Sequence, residues 1–319
     1  MHSFYKQFTV AALSAMTLMG SAYAAKDGMP DEINIVYVKA PFNLQNMVMK
    51  DQKLLEKAFA PYGTQVRWHS IVSGAKQAQA MAAGAIDVSA VMNTASLLMA
   101  NGAGNPVYVA TGVAHPADTF AMVGGKGKTL SVKDLKGKKI AGPRGTVLHQ
   151  LMVAALAKEG LTANDVEFIS MDPGAALSAL LTGNADAALI AASGVIKAQE
   201  AGCKVITTAK GLVNVNLVMT ASEKFSKNYA KALDLVVKTH RQTLQWIQNN
   251  KDKALALGAK EHGISVKDAE QLADWSNYYD TLTQADIKGL ADDQAFLLQN
   301  KMMDKAVDVK AIVLPSALK

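Results

Sequence analysis

The sequence predicts an α/β fold of two lobes with a helical tail, on three observations. Short β-branched runs alternate with loops and amphipathic stretches from residue 33 onward, the pattern of parallel strands joined by crossover helices. A helix-to-strand step recurs: Gly84-Ala85-Ile86-Asp87 and Gly183-Asn184-Ala185-Asp186 each close a small-residue helix and open a strand. From Ser222 onward the apolar spacing turns helical.

A leader precedes the fold. Lys6, the apolar run 8–19 and Ala22-Tyr23-Ala24 form a signal peptide (1–24) cleaved after Ala24, with an apolar run shorter than the ~20 residues of a membrane span. Ala25, not cysteine, stands first after the cut, so a lipid anchor is not expected, and the exported product is soluble. The one cysteine, Cys203, can make no internal disulfide and leaves no thiol set for structural zinc. The formal charge of +6 includes Lys6 of the leader, and acidic residues are interleaved with lysines throughout. That is a solvated surface and excludes a nucleic-acid stripe. A length of 319 residues suits two domains.

The mature chain then reads in order. A strand at 33–38 leads through a loop at 39–45 into a helix running to about Phe59. A second strand, 66–72, breaks at Ser73-Gly74 before a helix at 75–83. A third, 88–92, ends where Asn93-Thr94 start the next helix. A strand at 107–112, the loop His115-Pro116-Ala117-Asp118 and an extended run at 119–123 follow. Gly127-Lys128-Thr129 is no phosphate loop, because Met122 stands where its first glycine is required.

Next come a strand at 138–141, the turn Gly142-Pro143-Arg144-Gly145, and a helix with Leu148, Leu151, Met152, Ala155 and Leu156 on one face, capped by Thr146. Its first amides are unpaired and attract negative or strongly polar atoms. A helix from Gly174, strands at 187–191 and 205–207, and an extended return at 213–220 complete the second half. In the tail, Ser226 is the expected cap of a helix whose Leu233, Val236, Val237, His240, Leu244 and Ile247 share a face. Further helices are expected near 254–261, 266–275 and 284–299, packed on the first lobe.

Four stretches carry a resemblance. Lys50-Asp51-Gln52-Lys53-Leu54-Leu55-Glu56 is similar to a first-helix pattern A-K-x-x-G-L-F-E, with Lys53 where glycine is usual. SVKDLKGKKI, residues 131–140, is similar to a strand entry s-v-k-D-L-K-G-K-K-i. Gly145-Thr146-Val147-Leu148-His149 falls on a ligand turn G-S-S-x-H, and residues 175–186 match A-x-x-A-L-x-x-G-x-v-D-A. In this order they resemble the substrate-binding proteins of ABC importers for nitrate, sulfonates, taurine and thiamine-precursor-like solutes.

The resemblance implies a type II periplasmic binding protein fold. Lobe 1 would comprise 25–120 and 218–319, lobe 2 would comprise 121–217, and the crossings would lie near 119–123 and 216–220. It also implies a periplasmic, monomeric receptor that needs no cofactor or metal. Such a receptor captures a small solute between its lobes and delivers it to a permease in the inner membrane. Small residues after Asp186, through Ala192, Ser193 and Gly194, replace the bulkier sequence of sulfonate and taurine binders and put taurine in doubt.

In such sheets ligands sit beyond the carboxyl ends of the strands, which selects the candidate ligand-binding residues. Ser73, Gly74, Asn93 and Thr94 lie at such ends in the first lobe, and Phe42 and Asn43 either close one side or form a packed corner. In the second lobe Arg144 is a solvated turn residue or an anion partner. Gly145 and Thr146 shape the helix start, where Thr146 caps it and also meets ligand, or only caps it. His149 is a core histidine or a ligand contact. His115 sits at the crossing, Asp172 caps a helix or meets a cationic group, and Ala192 and Ser193 border the pocket. Trp275, Tyr278 and Tyr279 dock the tail in preference to walling the ligand.

Catalysis has no support: no serine, histidine and acid set stands in motif context, no HExxH occurs, and the six histidines lack ligand spacing. The alternative is a same-fold enzyme of the menaquinone-pathway dehydratase or pyrimidine-precursor synthase type. Both kinds work in the cytoplasm, against the leader, and the cysteine-rich signature of the synthases is absent.

Overall fold

A computed structural model describes residues 28–318; the expected leader lies outside them. Strands β1 (Glu32–Tyr37), β2 (Gln65–Ser70), β3 (Val88–Asn93) and β4 (Val107–Ala114) alternate with helices α1 (Leu44–Asp51), α2 (Leu54–Phe59), α3 (Gly74–Ala82) and α4 (Thr94–Gly102). The chain then builds β5 (Phe120–Gly124), β6 (Lys139–Gly142), α5 (Val147–Lys158), β7 (Glu167–Ser170), α6 (Pro173–Leu181), β8 (Ala187–Ala191), α7 (Ser193–Glu200) and β9 (Lys204–Thr208). It returns as β10 (Leu217–Ser222) and ends in α8 (Glu223–Asn228), α9 (Ala230–Asn249), α10 (Lys251–His262), α11 (Val266–Ser276) and α12 (Gln284–Gln299).

Two five-stranded sheets result, ordered β2-β1-β3-β10-β4 and β7-β6-β8-β5-β9. β1, β2 and β3 run parallel, as do β7, β6 and β8, while β10 and β5 run antiparallel to their neighbours in matching places. The repeated Gly-x-x-Asp step does the same work in both. Asp87 Oδ2 accepts the Asn34 amide at 2.8 Å, and Asp186 Oδ2 accepts the Lys139 amide at 3.1 Å. Their carbonyls take the amides of Ser222 and Gly125 at 2.9 and 3.0 Å. Gly84 and Gly183, at φ 72° and 77°, supply the left-handed exit from the preceding helix. This is the two-lobed fold of type II periplasmic binding proteins.

The segments expected to cross between lobes, 119–123 and 216–220, are instead β5 of the second sheet and β10 of the first. The chain changes sheets just before each, at 115–119 and 209–216. The short strand β7 and helix α7 were not expected. Ser226 is not a cap: Ser222 caps α8, accepting the Phe225 amide at 3.2 Å, and Ser226 donates back to the Glu223 carbonyl. The tail packs on the first lobe as expected, α9 against α1 and α12 against α4. Beyond α12, Val109 donates to Ile312 and accepts from Leu314, which covers the free edge of β4.

The single helix expected from the end of the 39–45 loop to about Phe59 is broken in two at Lys53, which has φ 52° and ψ 44°. A side chain in this left-handed region costs about 1–2 kcal/mol, and the Lys53 side chain is exposed. Lys53→Gly relieves that strain but adds freedom to the unfolded chain. We expect a net gain of about 0.5–1 kcal/mol in urea unfolding; a loss of stability would show that the lysine earns its place through contacts.

Candidate functional site

The carboxyl ends of both sets of parallel strands converge on one cavity of about 90 Å³ between the lobes. Val38 follows β1, Val72 to Gly74 follow β2, Met92 and Asn93 end β3, Pro143, Thr146, Val147 and Leu148 follow β6, and Ala191 ends β8. The walls are mostly apolar, from Val38, Val72, Met92, Phe120, Leu148 and Leu217. Ser73, Gln77, Asn93 and Thr146 supply the polar side chains, and among the described residues no charged side chain lines the cavity. Its volume lies well below the roughly 300 Å³ of sites for drug-sized ligands, so a solute of few heavy atoms suits it.

Two helix starts face this space from opposite lobes. Ser73 stands at the cap position of α3 without capping it, which leaves its hydroxyl and the first amides of α3 to the cavity. Thr146 stands at the start of α5, but the expected cap is absent. Its hydroxyl donates to the Pro143 carbonyl at 3.0 Å, inside the turn. The acceptor for α5 comes from the other lobe: Asn93 Oδ1 takes the Val147 amide at 3.1 Å while also capping its own helix through the Ser96 amide at 2.9 Å. Ser96 Oγ donates to the Gly145 carbonyl at 2.8 Å, so the lobes meet directly at this point. Donors without a counter-charge suit an anion whose charge is spread over several oxygens.

Among the described residues no cluster of three or more His, Cys, Asp or Glu could hold a metal.

Residues 59–254 match the NMT1/THI5-like family. The chain belongs to this family. A putative aliphatic sulfonates-binding protein of Escherichia coli (strain K12) is 23% identical over 94% of this chain and 93% of its own length. Its Bacillus subtilis (strain 168) counterpart of the same description is 26% identical over 84% and 81%. Among solved structures, the alkanesulfonate-binding protein SsuA from Xanthomonas axonopodis pv. citri, bound to MOPS, superposes with a TM-score of 0.79 at 22% identity. That match covers 89% of this chain and 98% of that one.

Of the residues selected from the sequence, Ser73, Gly74, Asn93 and Thr146 line the cavity of this NMT1/THI5-like chain, with Thr94 and Gly145 directly behind. Thr94 is buried and donates to Asp293 of the tail at 3.4 Å. Phe42 and Asn43 form the packed corner: Phe42 lies 5.2 Å from the His262 ring, and Asn43 Nδ2 donates to the Val38 and Ala40 carbonyls at 2.9 and 2.6 Å.

Arg144 and His149 point away from the cavity. Arg144 lies 4.8 Å over the Phe168 ring and His149 stacks on it at 5.0 Å. Burial, with help from Arg144, lowers the His149 imidazole to about 4, so it is neutral at physiological pH. His115 bonds Asp286 at 2.8 Å and stacks on Tyr279 at 4.0 Å in the crossing. Asp172 leaves its helix uncapped and pairs with Lys76 of the first lobe at 3.0 Å.

Beside the cavity, Ala191 lines it and Ala192 does not. Ser193 bonds His262 Nδ1 at 2.8 Å; because His262 Nε2 faces the Lys39 carbonyl, that nitrogen carries the proton and the Ser193 hydroxyl donates.

Sequence reasoning missed Val72, Gln77, Met92, Phe120 and Leu148. Val72 and Met92 were already the last residues of expected strands, so the strand-end rule applied one residue more widely would have found them; Gln77, one helical turn beyond Gly74, needs the face of α3 as well.

Proposed function

We propose that this chain is a periplasmic solute-binding receptor of an ABC importer, and that its solute is a small sulfonate-like anion. Lobe 1 comprises 25–120 with 218–319, lobe 2 comprises 121–217, and the leader is removed after Ala24. The monomeric receptor closes on its solute and presents the closed form to an inner-membrane permease; it performs no chemistry. One observation carries the reading: two facing helix starts, from different lobes, share an otherwise apolar cavity with no charged side chain among the described residues. The oxygens of the solute meet amide and hydroxyl donors, and its tail meets Val72, Phe120 and Leu217. Ligand contacts made by both lobes favour the closed form over the open one.

The test is calorimetric titration of ethanesulfonate, taurine and nitrate into dialysed protein in sulfonate-free buffer. Ethanesulfonate is expected to bind in the micromolar range and taurine more weakly, since no carboxylate in the cavity receives its ammonium group. Turnover of a sulfonate, or no binding of any of the three, would refute the reading.

A further inference from the structure

Behind the cavity wall lies a buried carboxylate that touches both lobes. Asp293, on α12 of the tail, is 5% exposed. Its Oδ1 accepts from Gln150 Nε2 at 3.1 Å and its Oδ2 from Thr94 Oγ1 at 3.4 Å. Thr94 is the first residue of α4, and Gln150 lies in the first turn of α5. Those are the two helices whose starts Asn93 bridges, so one side chain of the tail sets how the cleft helices of opposite lobes sit against each other. The Gln150 amide oxygen is buried with no donor among the described residues, so the cluster is one proton short of full pairing.

We infer that Asp293 is a positioning residue of the cleft, and that the lobes close on it with uptake of one proton. The inference rests on the two-lobed receptor reading above.

Among the described residues no cation compensates the carboxylate. α4 carries no ionisable side chain. α5 brings His149, held neutral, while Arg144 before it lies over Phe168 on the outward side. On α12 itself, Asp286 is tied to His115 and Lys288 to Asp292. The crossing segment that meets α12 at Gly289 contributes Lys210, which bonds Asp118 at 3.1 Å. Burial, with a minor push from Asp292, raises the Asp293 carboxyl to about 7 against the pull of Gln150 and Thr94. When the lobes part, Gln150 leaves with lobe 2, water reaches the carboxylate, and it returns toward the ordinary carboxylate range.

The sign follows from linkage. The closed form holds the proton below about pH 7 and the open form does not until near pH 4, so closure strengthens as pH falls between these values. Affinity at pH 8 should be up to about tenfold weaker than at pH 6, with close to one proton taken up per solute at pH 6 and about a tenth of one at pH 8.

The experiment is calorimetric titration of ethanesulfonate at pH 6, 7 and 8, in phosphate and in imidazole. These buffers differ in ionisation heat and so report proton uptake, and the sulfonate stays ionised throughout. Wild type should show the slope, and Asp293→Asn should flatten it whatever its absolute affinity. A purely structural role would weaken binding equally at every pH. An affinity that is the same at pH 6 and 8 in wild type, or a slope that survives in Asp293→Asn, overturns the inference.

If ethanesulfonate does not bind wild type at any pH, the sulfonate reading fails separately. Small-angle scattering of ligand-free protein then decides: compaction at pH 6 relative to pH 8 in wild type, lost in Asp293→Asn, supports the inference, and its absence in wild type overturns it.

Discussion

Asn93→Asp is expected to abolish anion capture while leaving the fold at least as stable as before. A carboxylate at this position keeps both acceptor bonds, to the Ser96 amide at 2.9 Å and the Val147 amide at 3.1 Å. It also places a negative charge at the starts of α4 and α5, worth about 0.3–1 kcal/mol at each helix. An anion in the cavity would then meet a like charge. At ~5 Å and an effective dielectric of ~20 the repulsion is about 3 kcal/mol, more than a hundredfold in affinity. Asn93→Ala separates the two roles, because it removes both acceptor bonds and should cost about 1–2 kcal/mol of stability together with binding. Urea unfolding and ethanesulfonate calorimetry on both variants make the comparison. Ethanesulfonate binding by Asn93→Asp at wild-type affinity would remove the anion from this site.

Asn93 was legible in the sequence because a strand end followed by a capping residue is a local pattern. The repeated lobe was legible for the same reason: Gly84 to Asp87 and Gly183 to Asp186 are contiguous, and each aspartate ties the adjacent parallel strand. Thr146 was misread as the cap of α5 because its rival acceptor, Asn93, lies 54 positions along the chain from the Val147 amide it takes. No local rule reaches that far.

The outward turn of Arg144 and His149 has a similar origin. Both rings of contact converge on Phe168, in the edge strand β7. That strand has only four residues, none fully buried, so it lacks the alternation that marks a half-buried strand. Without β7 in view, an arginine and a histidine beside a ligand turn have no other partner to find. The place of Asp293 was equally hidden, since its partners Thr94 and Gln150 lie on α4 and α5, 199 and 143 positions before it in the chain.

Gly112→Ala should be the most damaging single-methyl change in the first lobe, at about 3 kcal/mol. A Cβ at Gly112 in β4 would lie 2.3, 2.6 and 2.7 Å from ring atoms of Tyr279. The ring has no room to retreat. It is stacked on His115 at 4.0 Å, its hydroxyl donates to Asn216 Oδ1, and its amide bonds the Val113 carbonyl at 3.2 Å. Gly124→Ala in β5, whose added Cβ would meet its nearest atoms at 3.5 Å, is the matched control and should cost under about 1 kcal/mol. Urea unfolding of the two variants reads the difference, and Gly112→Ala combined with Tyr279→Ala should be less harmful than the sum of the single changes, because the second substitution vacates the space the first one needs. The same contact has a functional consequence. His115 belongs to the outgoing crossing and Asn216 to the returning one, so this tyrosine of the tail fixes both connections about which the lobes would turn. Displacing it should alter solute association and dissociation rates in stopped-flow fluorescence, and unchanged rates in a folded Gly112→Ala protein would place the pivot elsewhere.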